Sequence, residues 1–276
     1  MRIKAKKSLG QNFLKSKSVA GVIVDAGDIH AGDIVLEIGP GKGILTEKLV
    51  ILAGKVIAIE KDDNLSLFLK EKFVKESKNG RIDIVNKDIL DFDPKILKFY
   101  GKTYKIVANI PYYITGLLFR KFLESDFQPE KMVFLVQKEV AMRIMARDPR
   151  HGGASNKESL LSISVKAYGE PKFIKKVPAR YFSPEPKVDS AVLLVDNISK
   201  KHFKNIDENR FFEILKSGFA HKRKVLIKNL ESITKDKEKL REIFLKNNIP
   251  EKTRAENLTL DNWLKITKEI KISFIK

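Results

Sequence analysis

Apolar residues in the first two-thirds of the chain come in short unbroken runs: Ile34-Val35-Leu36-Glu37-Ile38, Val56-Ile57-Ala58-Ile59, Ile82-Asp83-Ile84-Val85, Ile106-Val107-Ala108 and Met132-Val133-Phe134-Leu135-Val136. Strands that alternate apolar with polar residues face water on one side, whereas unbroken runs predict strands covered on both faces. Amphipathic stretches near 42–52, 63–77 and 115–124 separate them with helical spacing. This alternation predicts an α/β fold built on a mostly parallel sheet.

The pattern changes twice further along. Two strand candidates, 172–177 and 190–195, have no long helix between them but the Pro-rich connection VPARYFSPEPKVDS, which predicts an antiparallel hairpin at the sheet edge. Beyond Asp196 only helical patterns remain, near 208–219, 222–231, 236–247 and 259–270. The expected organisation is an α/β domain over 1–200 and a small all-helical domain over 201–276.

Composition narrows the function. No apolar run reaches the roughly 18 residues that a membrane span needs, and the opening MRIKAKKSLGQNF has basic residues with no apolar core after them, so no membrane association and a cytoplasmic location are expected. There is no cysteine, which excludes disulfides, thiolate catalysis and thiolate metal sites. His30, His151, His202 and His221 share no metal-ligand spacing and no G-x-S-x-G elbow occurs, so no metal is expected. The net charge of +19 implies a polyanionic partner. Residues 197–276 carry 20 Lys/Arg against 11 Asp/Glu, which makes this tail more than twice as basic per residue as the rest. A lysine-rich thermophile surface is the alternative explanation; by itself it does not call for so large an imbalance.

Chemistry concentrates at the predicted strand ends. Glu37-Ile38-Gly39-Pro40-Gly41-Lys42-Gly43 closes the first run and opens a helix, the place where open α/β sheets bind ligands. Its spacing matches neither the dinucleotide fingerprint nor a Walker loop. Glu60 ends the second run, where a carboxylate accepts from ribose hydroxyls, and Asp88 follows the third, where one can accept an adenine amino hydrogen. An adenosine pocket without a phosphate cradle suggests S-adenosylmethionine. The fourth run ends in Asn109-Ile110-Pro111-Tyr112, a poor core and a poor simple turn. Acceptors on the Asn109 side chain and the Ile110 carbonyl would favour a pyramidal exocyclic amine aimed at a methyl donor, with Tyr112 as a stacking face.

Taken together, Gly10-Gln11-Asn12-Phe13-Leu14, Glu37 to Gly43, Glu60, Asp88, Asn109 to Tyr112 and Phe182-Ser183-Pro184-Glu185-Pro186-Lys187-Val188-Asp189-Ser190-Ala191-Val192 resemble the rRNA adenine N6,N6-dimethyltransferase family in order and spacing. The resemblance implies a Rossmann-like S-adenosylmethionine-dependent methyltransferase sheet that dimethylates two neighbouring adenosines near the 3′ end of small-subunit rRNA in a precursor of the small ribosomal subunit. It implies that Gln11, Asn12 and Leu14 fold over the cofactor, with Gly39 and Gly41 as its methionine-side turn and Glu37 and Lys61 among the cofactor-binding residues. Glu60 then lies at the ribose, Asp88 and Ile89 at the adenine, and Asn109 between cofactor and target amine. Phe182 is implied to pack on the target base opposite Tyr112, with Ile110 and Pro111 completing the catalytic corner. Lys222, Arg223 and Lys224, in the segment Phe219-Ala220-His221-Lys222-Arg223-Lys224, are expected to follow an RNA backbone, and Arg147 and Arg150 are assigned to RNA as well. Nothing in the sequence calls for a dimer. Two rival readings are a large-subunit rRNA adenine N6-methylase, which shares the cofactor motifs, and a ribosome assembly factor without catalysis.

Overall fold

In the computed structural model, residues 5–6, 9–101, 103–146, 157–234 and 236–270 are described, apart from the Tyr112 side chain. Contacts divide the chain into two units, Met1–Ala141 with Glu170–Ser199, and Met142–Gly169 with Lys200–Lys276.

The first unit opens with β1 (Phe13–Leu14) and α1 (Lys17–Gly27). The unbroken apolar runs then become β2 (Ile34–Ile38), β3 (Lys55–Glu60), β4 (Ile82–Asn86), β5 (Lys105–Asn109) and β6 (Lys131–Gln137). Between them come α2 (Thr46–Leu52), α3 (Asp63–Lys72), α4 (Val74–Lys78) and α5 (Thr115–Leu123), α6 (Lys138–Ile144) follows and spans the division at Ala141, and β7 (Glu170–Val177), β8 (Phe182–Ser183) and β9 (Ser190–Asp196) complete the unit. The main sheet has the order β4-β3-β2-β5-β6-β9-β7. Strands β2 to β6 pair in parallel, and β9 pairs antiparallel with both β6 and β7. The expected antiparallel edge is therefore present. From β2 the chain moves outward to β3 and β4 and then returns to the other side of β2 as β5, and this reversal opens a crevice at the strand carboxyl ends.

Helix α1 has no counterpart in the sequence reading. Ser16 starts it by accepting the Val19 N–H at 3.2 Å, and Val19, Ala20, Ile23 and Val24 form its buried stripe in the main core.

The second unit holds α7 (Leu160–Lys166), α8 (Glu208–Gly218), α9 (Leu226–Leu230), α10 (Lys237–Lys246) and α11 (Leu260–Glu269). Asp207, Asp236 and Thr259 cap three of these helices with side-chain oxygens. The contacts place 142–169 here, whereas the sequence reading puts this segment in 1–200. The reason is aromatic and backbone pairing: Tyr168 stacks on Phe212 with centroids 5.8 Å apart, and the Glu158 N–H donates to the Glu256 carbonyl at 2.8 Å. The helix expected over 222–231 is also shorter, because 221–224 form a turn. The buried Asn229 amide holds that turn, donating to the carbonyls of Gly218 at 2.6 Å and His221 at 3.2 Å.

Candidate functional site

A cavity lies at the carboxyl ends of β2, β3 and β5 and beside the residues that follow β4. Its floor is the glycine turn. Gly39, Gly41 and Gly43 all have positive φ (65°, 59° and 77°), which L side chains rarely adopt. Packing adds a second constraint, since a Cβ on Gly41 would lie 3.1 Å from the Phe13 ring and one on Gly43 would lie 2.8 Å from that of Phe73. At Gly39 and Gly41 the turn thus has no side chain where it lines the cavity, and Gly43 packs against Phe73 behind it.

Three carboxylates stand around this floor in different states. Glu60, at the end of β3, is 5% exposed; Oε2 accepts the Gly41 N–H at 3.1 Å and Oε1 accepts the Asp62 N–H at 2.9 Å. Burial raises its pKa against those two donors. Glu37 is 1% exposed, and neither of its oxygens has a hydrogen-bond partner. Burial pushes it up to about 8, Thr46 offsetting part of the effect and the Glu60 charge adding to it. Asp88 accepts the Leu90 N–H at 2.9 Å and pairs with Lys61 Nζ at 2.7 Å. Burial works to raise the Asp88 pKa, but the hydrogen bond from Lys61 and its charge hold it below the usual value. Ile89, 5% exposed, lines the same wall.

Residues 9–14 form the roof. Gln11 Nε2 donates to Asp62 Oδ2 at 3.0 Å, and Lys6 Nζ reaches Asp62 Oδ1 at 2.9 Å. Asn109 Nδ2 donates to the Asn12 carbonyl at 3.2 Å. Leu14 pairs with Phe182 where β1 meets β8, and Lys42 sits 4.9 Å over the Phe13 ring. Ile110 and Pro111 line the cavity next to Asn109, and Tyr113, 64% exposed, stands at its edge.

The structure therefore brings Gln11, Asn12, Leu14, Glu37, Gly39 and Gly41 to one cavity with Glu60, Lys61, Asp88, Ile89, Asn109, Ile110 and Pro111. Phe182 requires a correction. Its ring is 1% exposed and belongs to the main hydrophobic core, so it offers no open face to a base. Pairing with Leu14 turns it inward, and the prolines around it say nothing of that inward turn. The Tyr112 ring, Arg147 and Arg150 lie outside the described residues. In the second unit Lys222, Arg223 and Lys224 are exposed, and none has a carboxylate partner among the described residues. Sequence reasoning missed Phe13 as a packing partner of the glycine turn and Asp62 as the anchor of the roof. The one available signal for Asp62 was its position as a helix-capping residue directly before α3.

These residues fit an adenosine-containing methyl donor. The glycine turn presents positive-φ backbone without side chains at Gly39 and Gly41, the strand-end carboxylate of Glu60 retains lone pairs beyond its two backbone partners, and Glu37 offers a buried carboxyl that makes no well-aligned hydrogen bond within the protein.

The sequence matches the family model described as ribosomal RNA adenine dimethylase over residues 2–271. Proteins named ribosomal RNA small subunit methyltransferase A from Dehalococcoides mccartyi and Mycoplasma capricolum are 39% and 37% identical, with alignments covering 95% and 98% of this chain and 87% and 99% of theirs. Among solved structures, a dimethyladenosine transferase from Plasmodium falciparum superposes with a TM-score of 0.73 at 26% identity, covering 92% of this chain and 95% of that one. The fold is shared as well with a 23S rRNA methyltransferase, ErmE, with a TM-score of 0.70 at 24% identity over 94% of this chain and 99% of that one. A family match that runs from residue 2 to residue 271 takes in every strand end around the cavity and nearly all of the helical unit, and on that extent the chain belongs to the ribosomal RNA adenine dimethylase family.

Proposed function

We propose that the chain uses S-adenosylmethionine to place two methyl groups on N6 of each of two adjacent adenosines near the 3′ end of small-subunit rRNA, within a precursor of the small ribosomal subunit. The observation that carries this reading is the end-to-end likeness to relatives named small subunit methyltransferase A, helical unit included. The cytoplasm is the proposed location and a monomer the proposed state.

S-adenosylmethionine, when bound, supplies a methyl group already activated on a sulfonium. The protein's task is then to bind, orient and exclude. Glu60 would take the ribose hydroxyls and Asp88 the adenine amine, with Ile89 and Leu14 covering the apolar faces. Asn109 has the most specific task. Its nitrogen is engaged by the Asn12 carbonyl, a group that only accepts, so its oxygen is the end left for the target amine. Hydrogen bonds from that amine to Asn109 Oδ1 and to the Ile110 carbonyl would draw the nitrogen lone pair out of the ring and toward the methyl group. The amine proton then leaves to solvent. Tyr112 would stack on the base, and Lys222, Arg223 and Lys224 would track RNA phosphates from the second unit.

The test is transfer of labelled methyl from S-adenosylmethionine to small subunits lacking the modification, followed by nucleoside analysis. N6,N6-dimethyladenosine at neighbouring positions near the 3′ end is the expected result. Label on large-subunit RNA would favour the large-subunit reading, and binding without label would favour an assembly factor.

A further inference from the structure

Asp62 does not line the cavity, yet groups from both the floor and the roof meet on it. Its side chain is 2% exposed. Oδ1 receives Lys6 Nζ at 2.9 Å and the Asn64 N–H at 3.1 Å, and Oδ2 receives Gln11 Nε2 at 3.0 Å. Its own N–H donates to Glu60 Oε1. The two roof donors are themselves joined, because Gln11 Oε1 accepts the Lys6 N–H at 2.8 Å. One residue thus holds the floor carboxylate through its backbone and the roof through its side chain. Further along the roof, Asn12 meets Asn109 and Phe13 meets Gly41.

We infer that Asp62 is a positioning residue that latches residues 9–14 over the cavity and so sets how long the cofactor stays bound. This rests on the cavity being the S-adenosylmethionine site. The chemistry gives the latch a consequence, because four methyl transfers to one RNA demand repeated exchange of spent for fresh cofactor. Each exchange must pass a roof that three elements hold down: the Asp62 carboxylate, the Asn109 amide and the pairing of β1 with β8. Of these, only the carboxylate can be weakened without touching the reacting corner or the core. Lid opening of this kind commonly limits turnover.

Asp62 also caps α3, so its replacement by Ala would mix loss of the latch with loss of the cap. Asn and Ser are good caps and keep that role, while each removes the charge and at least one hydrogen bond to the roof. The experiment compares wild type, Asp62→Asn, Asp62→Ser and Lys6→Ala by hydrogen exchange of the 9–14 amides and by dissociation of S-adenosylhomocysteine. In the variants the amides should exchange faster, and the ligand should leave about tenfold faster, as loss of a hydrogen bond of ordinary net strength requires. KM for S-adenosylmethionine should rise with kcat unchanged or higher, and the melting temperature should stay near that of wild type. A merely structural role would lower the melting temperature and kcat together and would overturn the latch. So would unchanged exchange and unchanged dissociation. If wild type fails to bind S-adenosylhomocysteine, the cofactor reading fails; the exchange comparison on the free protein then still decides whether Asp62 holds the roof.

Discussion

The side-chain amide of Asn109 donates to the backbone carbonyl of Asn12 at 3.2 Å, across 97 residues of sequence. A carbonyl can only accept, so this one hydrogen bond settles which end of the amide faces the roof and which end is left over. Asn109→Ala should therefore lower kcat for methyl transfer by about 100-fold or more, the cost of misplacing a reacting group, while the dissociation constant for S-adenosylhomocysteine rises by no more than about tenfold, the cost of one lost roof hydrogen bond. Equilibrium binding beside single-turnover kinetics checks this. Equal losses in binding and turnover would mean that Asn109 serves the roof alone.

Glu37 makes the stability of the free protein depend on pH in an unusual direction. Its folded pKa, about 8, lies above the ordinary carboxyl value of 4.5. Between those values the folded state keeps a proton that the unfolded state has released, so stability is full at low pH and falls as pH rises through the window. Thermal melts of wild type and Glu37→Gln from pH 5 to pH 8 should show the wild type losing stability relative to the variant, by an amount on the order of a few kcal/mol. Parallel curves would show that Glu37 is already ionised throughout.

The sheet was legible because strands covered on both faces must be apolar throughout, and IVLEI, KVIAIE and KMVFLVQ have few other interpretations. The strand-end residues were legible for a related reason, since Glu60, Asp88 and Asn109 interrupt or follow such runs at the places where ligands bind. What stayed hidden depends on partners far along the chain. Asp62 meets Lys6 and Gln11 at separations of 56 and 51 residues, and nothing local marks that meeting. Phe182 was misread because a proline-rich neighbourhood suggests an exposed loop, whereas its pairing with Leu14 carries it into the core. At 221–224 a turn stands where a helix was expected, and Asn229 donates to the carbonyls of His221 in that turn and of Gly218 before it.

Gly218 is where the basic turn depends on packing. A Cβ there would run into the Trp263 ring and lie 2.9 Å from Leu226, and Trp263 is fully buried. Gly218→Ala should destabilise the helical unit by about 1–3 kcal/mol, the usual cost of overfilling a packed core, and should leave binding of S-adenosylhomocysteine in the first unit unchanged. Chemical denaturation followed by Trp263 fluorescence, the chain having one Trp, reports on that unit alone.

Lys222, Arg223 and Lys224 stand exposed on a turn that Asn229 clamps from below, without carboxylate partners among the described residues. Because Asn229 holds the turn, the backbone positions of the three cations are set before RNA arrives, and less backbone freedom is lost on binding. Replacing all three with Ala should weaken binding to small-subunit RNA. It should also flatten the dependence of log affinity on log salt, by roughly one unit for each phosphate no longer neutralised. Asn229→Ala provides the sharper comparison: it keeps every charge and releases the clamp, so affinity should fall while the salt slope stays close to that of wild type. A triple variant with an unchanged slope would assign the run to ordinary solvation and move the RNA-binding surface elsewhere on the chain.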